Sequence, residues 1–427
     1  MILLQKAQII SSEKTFSIVD IVISQNKIQK ISPHIEPTAD MTIISVNHKL
    51  VSSGFIDMHV HLREPGYDYK ETIHSGTLAG ARGGFTFVAC MSNTNPALDN
   101  VATIRELQDK IKKEAFIRVS PIGALTMERK GVTLAPYHQL KEIGVVALSD
   151  DGDGIQNEAV MKEALIQASL VNLPVMAHCE DCLLAAKGAL HAGEFAQRNN
   201  IRGISSASEF VQVRRDIALA EQTGGHYHVC HISAKESIQA VREAKAKGLK
   251  VSCEVTPHHI LLSDSDIPEV DCNFKMNPPL RAESDRKAII DGLLDGTIDI
   301  IATDHAPHTE EEKAREIHCA PFGVVGLETA FPLLYTHLVL TGTLSLKKLV
   351  ELMTIKPAQL FSLPYGKLEV GSIADLVIID LENERVVDPN KFLSKGKNTP
   401  FKNWKLKGWP TMTIVDGQIA WRENEKM

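Results

Sequence analysis

Residue types that bind divalent metal ions recur along this chain, each time at the end of a short apolar segment. The first group is Asp57-Met58-His59-Val60-His61, in which the two histidines lie two residues apart and so share one face of an extended strand. Other apolar segments end in Asp150 and Asp151, in His178, in His231, and in Asp304. A His-x-His pair alone is a weak signal. Neutral imidazoles together with carboxylates are the donors that Zn²⁺ and similar ions prefer, so the combination predicts a hydrolytic metal centre.

Strand parity separates the neighbouring aspartates. The parity that carries Asp151 also carries Ala147 and Ser149, small residues that suit the interior of a barrel. Asp151 is therefore the better inward ligand. A carboxylate between two ligand clusters can bridge two ions about 3.5 to 4 Å apart. Asp150 and Asp153 remain alternatives for this position.

The elements that must carry these groups alternate in type along the middle of the chain. Strand-like segments span residues 54–61, 85–91, 116–125, 145–151, 174–180, 227–233, 250–259 and 299–307, with helical periodicity between them. The segment from Ser284 to Gly296, for example, predicts a helix capped by Ser284 and ended by Gly296. Eight strands with intervening helices favour an α/β fold of the (β/α)8 barrel type, whose reactive groups lie at the C-terminal ends of the strands. An open doubly wound sheet is the alternative, but no Gly-x-Gly-x-x-Gly motif follows a strand.

The two ends of the chain have a different pattern. Residues 1–52 and 362–427 contain alternating apolar segments, with turn signals at Gln25-Asn26 and Asp416-Gly417. We expect both ends to form short antiparallel strands of one composite β domain. The catalytic barrel, residues 53–361, is then inserted between them.

Composition and charge narrow the class of partner. The 427 residues carry a net charge of −7, which gives no reason to expect a nucleic-acid or anionic-membrane surface, so the expected partner is a small molecule. The N-terminal residues lack a secretion-signal pattern, and no apolar stretch approaches the roughly 20 residues of a membrane span, which predicts a cytoplasmic protein. The seven scattered cysteines, Cys179 and Cys182 included, are interpreted as reduced thiols.

Two long motifs resemble the signature stretches of the dihydroorotases. They are GFIDMHVHLREPG (54–66) and ATDHAPHTEEEK (302–313), and AHCED (177–181), CHIS (230–233) and EVTPHH (254–259) follow in the order of that family. The resemblance covers nearly the whole chain. It implies a metal-bearing amidohydrolase barrel with a composite β domain. It also implies interconversion of N-carbamoyl-L-aspartate and L-dihydroorotate in pyrimidine biosynthesis.

The resemblance also implies a ligand set for two Zn²⁺ ions per chain. His59 and His61 hold one ion, His178 and His231 hold the other, and Asp304 joins the first ion while acting as the proton-transferring base. Hydantoinases bridge their metals with a carboxylated lysine at the end of strand four. This strand ends in ALSDDG, so Asp151 resembles instead the bridging aspartate of Bacillus-like class I dihydroorotases.

A second set of residues is expected to bind the anionic substrate. Arg63 shares the parity of His61 and offers a bidentate fork for a carboxylate. The resemblance adds His61, Asn93 and His308 as co-binders, Asn277 at the ring, and backbone amides of Pro321, Phe322 and Gly323. Asn93 and Asn277 also have a simpler interpretation, because they lie in turn-rich contexts where asparagine commonly bonds the backbone.

Alternatives to this function remain at the level of the sequence. One is another cyclic amidohydrolase, such as a hydantoinase or an allantoinase. Another is an inactive scaffold subunit of aspartate transcarbamoylase, although all six predicted ligands are present. A homodimer and an association with that transcarbamoylase are expected from the resemblance. His258 and His259 are assigned roles in supporting the metal ligands or in packing, and His226 and His228 lie at the wrong end of their strand for catalysis.

Overall fold

The computed structural model describes residues 1–13 and 15–424. Its strands are β1 Ile2–Ile10, β2 Phe16–Ser24, β3 Lys27–Ser32, β4 Thr42–Ser45, β5 Leu50–Ser53, β6 Phe55–Val60, β7 Phe85–Cys90, β8 Arg118–Pro121, β9 Val175–Ala177, β10 Leu190–His191, β11 Gly203–Ile204, β12 Tyr227–Val229, β13 Val251–Val255, β14 Ile300–Ile301, β15 Leu376–Asp380, β16 Arg385–Val386, β17 Lys405–Leu406, β18 Trp409–Val415 and β19 Gln418–Arg422. Its helices are α1 Ile73–Arg82, α2 Val101–Glu114, α3 Tyr137–Glu142, α4 Glu158–Leu170, α5 Cys182–Ala185, α6 Glu194–Arg198, α7 Ala207–Thr223, α8 Lys235–Ala246, α9 Pro257–Leu261, α10 Glu283–Asp295, α11 Glu310–Lys313, α12 Ala330–Leu334, α13 Leu346–Met353 and α14 Ile355–Leu360.

Eight parallel segments close into a barrel. Strands β6, β7 and β8 are neighbours, and a second parallel set has the order β9-β12-β13-β14. Parallel bridges from Gly123 to Leu148 and from Leu148 to Val175 join the two sets on one side. A parallel bridge from Val60 to His305 joins them on the other. The segment around Leu148 is thus the fourth strand, and the predicted (β/α)8 barrel is confirmed.

Several barrel strands are shorter than the sequence pattern predicts. The eighth has ladder geometry only at Ile300–Ile301, and the fourth only as bridges at Leu148. His231, which follows the sixth barrel strand, has φ 31°, and Asp304, which follows the eighth, has φ 48°. Left-handed residues interrupt a ladder, so the strands end where their side chains turn into the rim of the barrel.

The two chain ends meet in one mixed sheet. Its order is β19-β18-β15-β5-β1-β2-β3, with β4 paired to β1. Both predicted hairpin turns are present, since Gln25-Asn26 links β2 to β3 and Asp416-Gly417 links β18 to β19. All four turn residues have positive φ, as a two-residue hairpin with the right-handed twist of its strands requires. The turns also touch, because Asn26 Nδ2 donates to Asp416 Oδ1 at 3.0 Å.

The barrel has an apolar interior beneath its rim. Alternate strand residues form one buried cluster that includes Met58, Phe87, Ala147, Met176 and Ile300. The opposite parity, such as Leu148, packs against the surrounding helices in a larger cluster. Among the described residues, no helix is long and apolar enough to cross a membrane.

Candidate metal centre and substrate pocket

A cavity of about 150 Å³ opens at the C-terminal ends of the barrel strands. Every predicted site residue except His59 and Pro321 lines it, and His59 lies beneath with no exposed surface. The lining residues are His61, Arg63, Asn93, Asp151, Gly152, His178, His231, Asn277, Asp304, Ala306, His308, Phe322 and Gly323. The fold therefore gathers, at one rim, residues that lie up to 264 positions apart, from His59 to Gly323.

Asp151 lies between four imidazoles. Its Oδ1 is 3.4 Å from His59 Nε2, 3.5 Å from His231 Nε2 and 3.7 Å from His178 Nδ1, and its Oδ2 is 3.6 Å from His61 Nε2. Asp151 Oδ1 and His59 Nε2 are buried and have no hydrogen-bond partner among the described residues. Such orphaned donor atoms fit a metal ion. His59, His61 and Asp151 form one potential triad and Asp151, His178 and His231 another, each with ligand atoms within 4.8 Å of one another.

Hydrogen bonds on the far side of the rings orient the first histidine pair. His59 Nδ1 lies 2.5 Å from Glu254 Oε1, and His61 Nδ1 lies 2.9 Å from Asn93 Oδ1. Both oxygens are acceptors, so each Nδ1 carries the proton and each Nε2 presents its lone pair toward Asp151. This is the tautomer that a metal ligand needs.

The second pair is arranged differently. His178 Nδ1 lies 3.0 Å from His231 Nε2, the two rings are nearly perpendicular at 80°, and both nitrogens lie within 3.7 Å of Asp151 Oδ1. On the other side of His178, the Asn277 side chain lies 3.3 Å from Nε2 and donates to Glu180 Oε2 at 2.8 Å. Asn277 thus contacts the candidate metal ligand His178 and also lines the cavity.

Asp304 lies against the first histidine pair. Its Oδ1 is 2.9 Å from His61 Nε2 and 3.5 Å from His59 Nε2. Burial by itself opposes the charge on Asp304, but the neighbouring imidazoles outweigh it and hold the pKa of the carboxyl below its usual value. An ionised carboxylate at this place can accept a proton from a nucleophilic water.

Asp150 points away from the cavity. One carboxylate oxygen accepts the backbone N–H groups of Leu125 and Thr126 at 2.8 and 3.1 Å, and the other accepts the Thr126 hydroxyl. Asp153 is exposed and pairs with Arg129. Of the three aspartates considered for the bridge, only Asp151 faces the histidines.

The cavity wall opposite the predicted metal ligands carries Arg63, the cation predicted to bind the substrate carboxylate. Arg63, at φ 66°, donates through Nε to Pro307 O at 3.1 Å, and its Nη2 lies 3.1 Å from His308 Nε2. His308 Nε2 also lies 2.8 Å from Phe322 O, an obligate acceptor. Burial and the nearby cations Arg63 and Lys70 lower the pKa of His308, so its ring is neutral.

The amide prediction for residues 321 to 323 is wrong for two of the three. Pro321 has no N–H group. The Gly323 N–H is already used, since it donates to Lys275 O at 3.0 Å. Phe322 alone keeps an amide without a backbone partner among the described residues, while Phe322 and Gly323 still line the cavity.

Comparisons with known proteins identify the family of this chain. A family model described as dihydro-orotase-like matches residues 48–237. A dihydroorotase from Geobacillus sp. (strain WCH70) is 56% identical over 384 residues, covering 90% of each chain. One from Halalkalibacterium halodurans is 51% identical and covers 99% of each. The chain belongs to the dihydroorotase family.

Solved structures similar to this dihydroorotase-family chain share its fold. The L-hydantoinase (dihydropyrimidinase) from Arthrobacter aurescens superposes with a TM-score of 0.89 at 24% identity, covering 100% of this chain and 97% of that one. The D-hydantoinase from Thermus sp. gives 0.86 at 25% identity, covering 100% and 96%. At these identities the likeness concerns architecture, and it confirms the amidohydrolase barrel.

One residue of this dihydroorotase-family site was missed by the sequence analysis. Glu254 in β13 is fully buried, and its Oε2 lies 3.1 Å from His228 Nε2 while Oε1 meets His59. Burial opposes its charge, yet His59 and His228 lower its pKa to about 2. A carboxylate inside an apolar strand was the available signal. His228, assigned to the wrong end of its strand, therefore reaches the site indirectly through Glu254.

The adjacent histidines of α9 are buried next to each other. The ring of His259 bonds Thr256 Oγ1 at 2.7 Å and Pro278 O at 2.8 Å. The ring of His258 lies beside it, with centroids 4.4 Å apart, and both are buried. Neither belongs to the potential ligand triads of the described residues.

Proposed function

We propose that this chain is a dihydroorotase that interconverts L-dihydroorotate and N-carbamoyl-L-aspartate in de novo pyrimidine biosynthesis. The observation that carries the proposal is the 56% identity, over nine-tenths of both chains, to a protein named dihydroorotase. The aspartate at the position between the two histidine pairs supports it, because the hydantoinase pattern expects a carboxylated lysine there.

We infer that the cofactor is Zn²⁺, two ions per chain, bridged by Asp151. The inference is supported by two potential ligand triads that share Asp151, built from imidazole nitrogens and a carboxylate. His59, His61 and Asp304 would hold one ion, and His178 and His231 the other. When bound, such ions acidify water and polarise an amide carbonyl.

The remaining chemistry belongs to the side chains. Arg63, with neutral His308 beside it, binds and orients the substrate carboxylate at the wall opposite the histidines. Asp304 accepts a proton from the water whose oxygen bonds to the amide carbonyl carbon. As the ring carbon–nitrogen bond breaks, Asp304 delivers that proton to the departing nitrogen. In the direction of ring closure the same carboxylate removes the proton from the carbamoyl nitrogen.

A comparison of three substrates tests the proposal. The zinc-loaded protein is assayed for ring opening of dihydroorotate, hydantoin and allantoin under the same conditions. We expect turnover of dihydroorotate and little of the other two, because Arg63 and His308 recognise a carboxylate that hydantoin and allantoin both lack. Turnover of hydantoin or allantoin without dihydroorotate would identify another cyclic amidohydrolase. Inactivity on all three would favour the scaffold alternative.

We also propose a cytoplasmic homodimer that associates with aspartate transcarbamoylase. The net charge of −7 supports a small-molecule partner over a nucleic acid. Light scattering after size exclusion measures the dimer. Co-elution with purified transcarbamoylase, absent when a non-interacting protein of similar size replaces it, measures the association.

A further inference from the structure

Two lysines are buried beside the substrate pocket without a counter-charge. Lys275 is 1% exposed and Lys313 is 8% exposed. Among the described residues, no carboxylate lies within ion-pair distance of either ammonium group. An unpaired buried charge raises the free energy of the folded state, so nearby dipoles must stabilise each ammonium group.

Backbone carbonyl groups supply those dipoles to Lys313. Its Nζ donates to Lys275 O at 3.2 Å, Pro321 O at 3.1 Å and Gly323 O at 3.0 Å. The three protons of an ammonium group are thereby all used. Burial lowers the pKa of Lys313 to about 7, the electrostatic cost of this arrangement.

Lys275 makes a similar set of contacts with the preceding part of the same loop. Its Nζ donates to Ile317 O at 2.6 Å and to Ala320 O at 2.5 Å. The ammonium group also lies 4.4 Å from the centre of the Phe322 ring, a cation–π distance. Together the two lysines bond carbonyl groups along the whole segment 317–323.

The segments joined in this way are those that carry the pocket wall. Lys275 lies two residues before Asn277, and Lys313 lies five residues after His308. The segment 317–323 ends in Phe322 and Gly323, which line the cavity. Neither lysine lines the cavity itself.

We propose that Lys313 and Lys275 are positioning residues that hold the 317–323 segment against the Asn277 and His308 segments and so set the affinity for substrate. The proposal rests on the proposed function, since it concerns binding at the same pocket. The lysines touch neither the reacting atoms nor the ligand triads.

Stability alone does not account for the Lys313 ammonium. Without it, Lys275 O keeps the Gly323 N–H, and Gly323 O keeps the Asn398 side-chain amide at 3.0 Å. Among the described residues, Pro321 O alone then loses its partner. Removing an unpaired buried charge relieves its desolvation cost, which offsets the loss of the hydrogen bond at Pro321 O. Lys313→Met is therefore expected to fold, with its effect concentrated in the geometry of the wall.

The first experiment compares Lys313→Met and Lys275→Met with the parent, all loaded with zinc. The control is Lys245→Met at the opposite end of the barrel, where Lys245 Nζ donates to a carbonyl, Thr297 O at 2.7 Å, and also pairs with Asp299 at 2.6 Å. We expect KM for dihydroorotate to rise about tenfold or more in Lys313→Met, because the pocket wall loses its hydrogen bonds to a charged group and no longer holds the geometry that binds substrate. The kcat, the zinc content and the melting temperature stay near the parent values. Lys245→Met keeps the parent KM.

A second experiment asks whether the charge itself restores the wall. Lys313→Ala lacks the equivalent of a propylammonium ion, so added propylammonium should lower its KM while 1-propanol does not. Amide hydrogen exchange of residues 317–323, measured without substrate, should be faster in Lys313→Met than in the parent and in Lys245→Met. An unchanged KM, or a parallel fall in kcat, zinc content and melting temperature without chemical rescue, would overturn the proposal. A parent protein that does not turn over dihydroorotate would instead refute the proposed function.

Discussion

The four imidazoles around Asp151 present different ring nitrogens to it. His59, His61 and His231 present Nε2, whereas His178 presents Nδ1. For the first pair, an acceptor on the far side of the ring selects the nitrogen, Glu254 for His59 and Asn93 for His61. At the scale of single residues, the centre therefore depends also on Glu254, which does not line the cavity.

The carboxylate of Asp304 is the residue whose chemistry is tested most directly. Asp304→Asn keeps the size of the side chain but removes the proton acceptor, so we expect a folded protein whose kcat falls at least about a hundredfold. Steady-state turnover of dihydroorotate measures the change. The exposed Asp153→Asn serves as the control and keeps parent activity. Near-parent turnover by pure Asp304→Asn would exclude the assigned role.

The neighbouring aspartates should separate metal binding from stability. Asp151→Ala removes the shared donor, so zinc content and turnover fall. Asp150→Ala leaves the N–H groups of Leu125 and Thr126 unsatisfied, so we expect a loss of roughly 1 to 3 kcal/mol in the free energy of unfolding with zinc retained. Zinc per chain and urea unfolding are measured for both. A zinc-free Asp150→Ala beside a zinc-loaded Asp151→Ala would reverse the assignment.

Glu254 should affect metal affinity through the orientation of His59. Glu254→Gln keeps the shape of the side chain but loses the charge that fixes the His59 tautomer. We expect zinc affinity to fall roughly 10- to 100-fold, as for other partners of metal-binding histidines. Competition with a chromogenic chelator measures it. Parent-like affinity would show that the His59–Glu254 contact has no such role.

At the scale of elements, short local signals determine where helices and hairpins turn. Gly296 ends α10 at φ 82°, as predicted. The predicted Ser284 cap is wrong, because α10 begins at Glu283 with Ala282 as its N-cap residue. The apolar periodicity located the helix, but its first turn extends beyond the capping signal, a boundary that local sequence specifies weakly.

The Asp416-Gly417 turn should matter for the stability of the terminal sheet. At Gly417, φ is 74° and a Cβ atom would lie 3.0 Å from Asn26 Cα in the facing turn. Gly248 has the same φ of 74° with nothing within 4 Å of an added Cβ, so Gly248→Ala isolates the backbone cost. We expect Gly417→Ala to lose more unfolding free energy than Gly248→Ala, itself costing about 1 kcal/mol. Equal losses in chemical denaturation would show that the turns do not press together.

At the scale of the whole molecule, closure of the barrel brings the first and eighth strands together. His61 N donates to His305 O at 2.8 Å, and Asp57 accepts the Thr303 hydroxyl at 2.6 Å. These contacts hold His59 next to Asp304 across 245 residues of chain. The division at residues 52 and 362 remains a prediction, although the sheet of the two chain ends is present.

Metal binding should stabilise the entire fold, because the predicted ligands come from several barrel strands. A ligand at a hundred times its Kd contributes about 2.7 kcal/mol to the folded state. We expect chelation to lower the melting temperature by several degrees, and Zn²⁺ in degassed, bicarbonate-free buffer to restore both it and activity. Asp151→Ala should show a smaller shift. A strict requirement for bicarbonate would indicate a carboxylated lysine instead of Asp151.

Much of the site could be inferred from the sequence because its determinants are local. Alternation along a strand places His59 and His61 on one face and turns Asp151 inward, and the number of strands defines the barrel. The pairs Gln25-Asn26 and Asp416-Gly417, whose residues all have positive φ, mark the two hairpin turns. These inferences use spacing within a few residues, where backbone geometry alone relates position to direction.

Only the tertiary structure decided which groups support those residues. Glu254 meets His59 from 195 positions away, and the Lys313 ammonium bonds carbonyl groups of a loop with no periodic pattern. Asp150 finds its donors on the preceding barrel loop. Such partners depend on how separate segments pack, and the same lysine or aspartate in an exposed loop would have the same local sequence. Long-range packing therefore determined the supporting contacts, while local geometry determined the ligands.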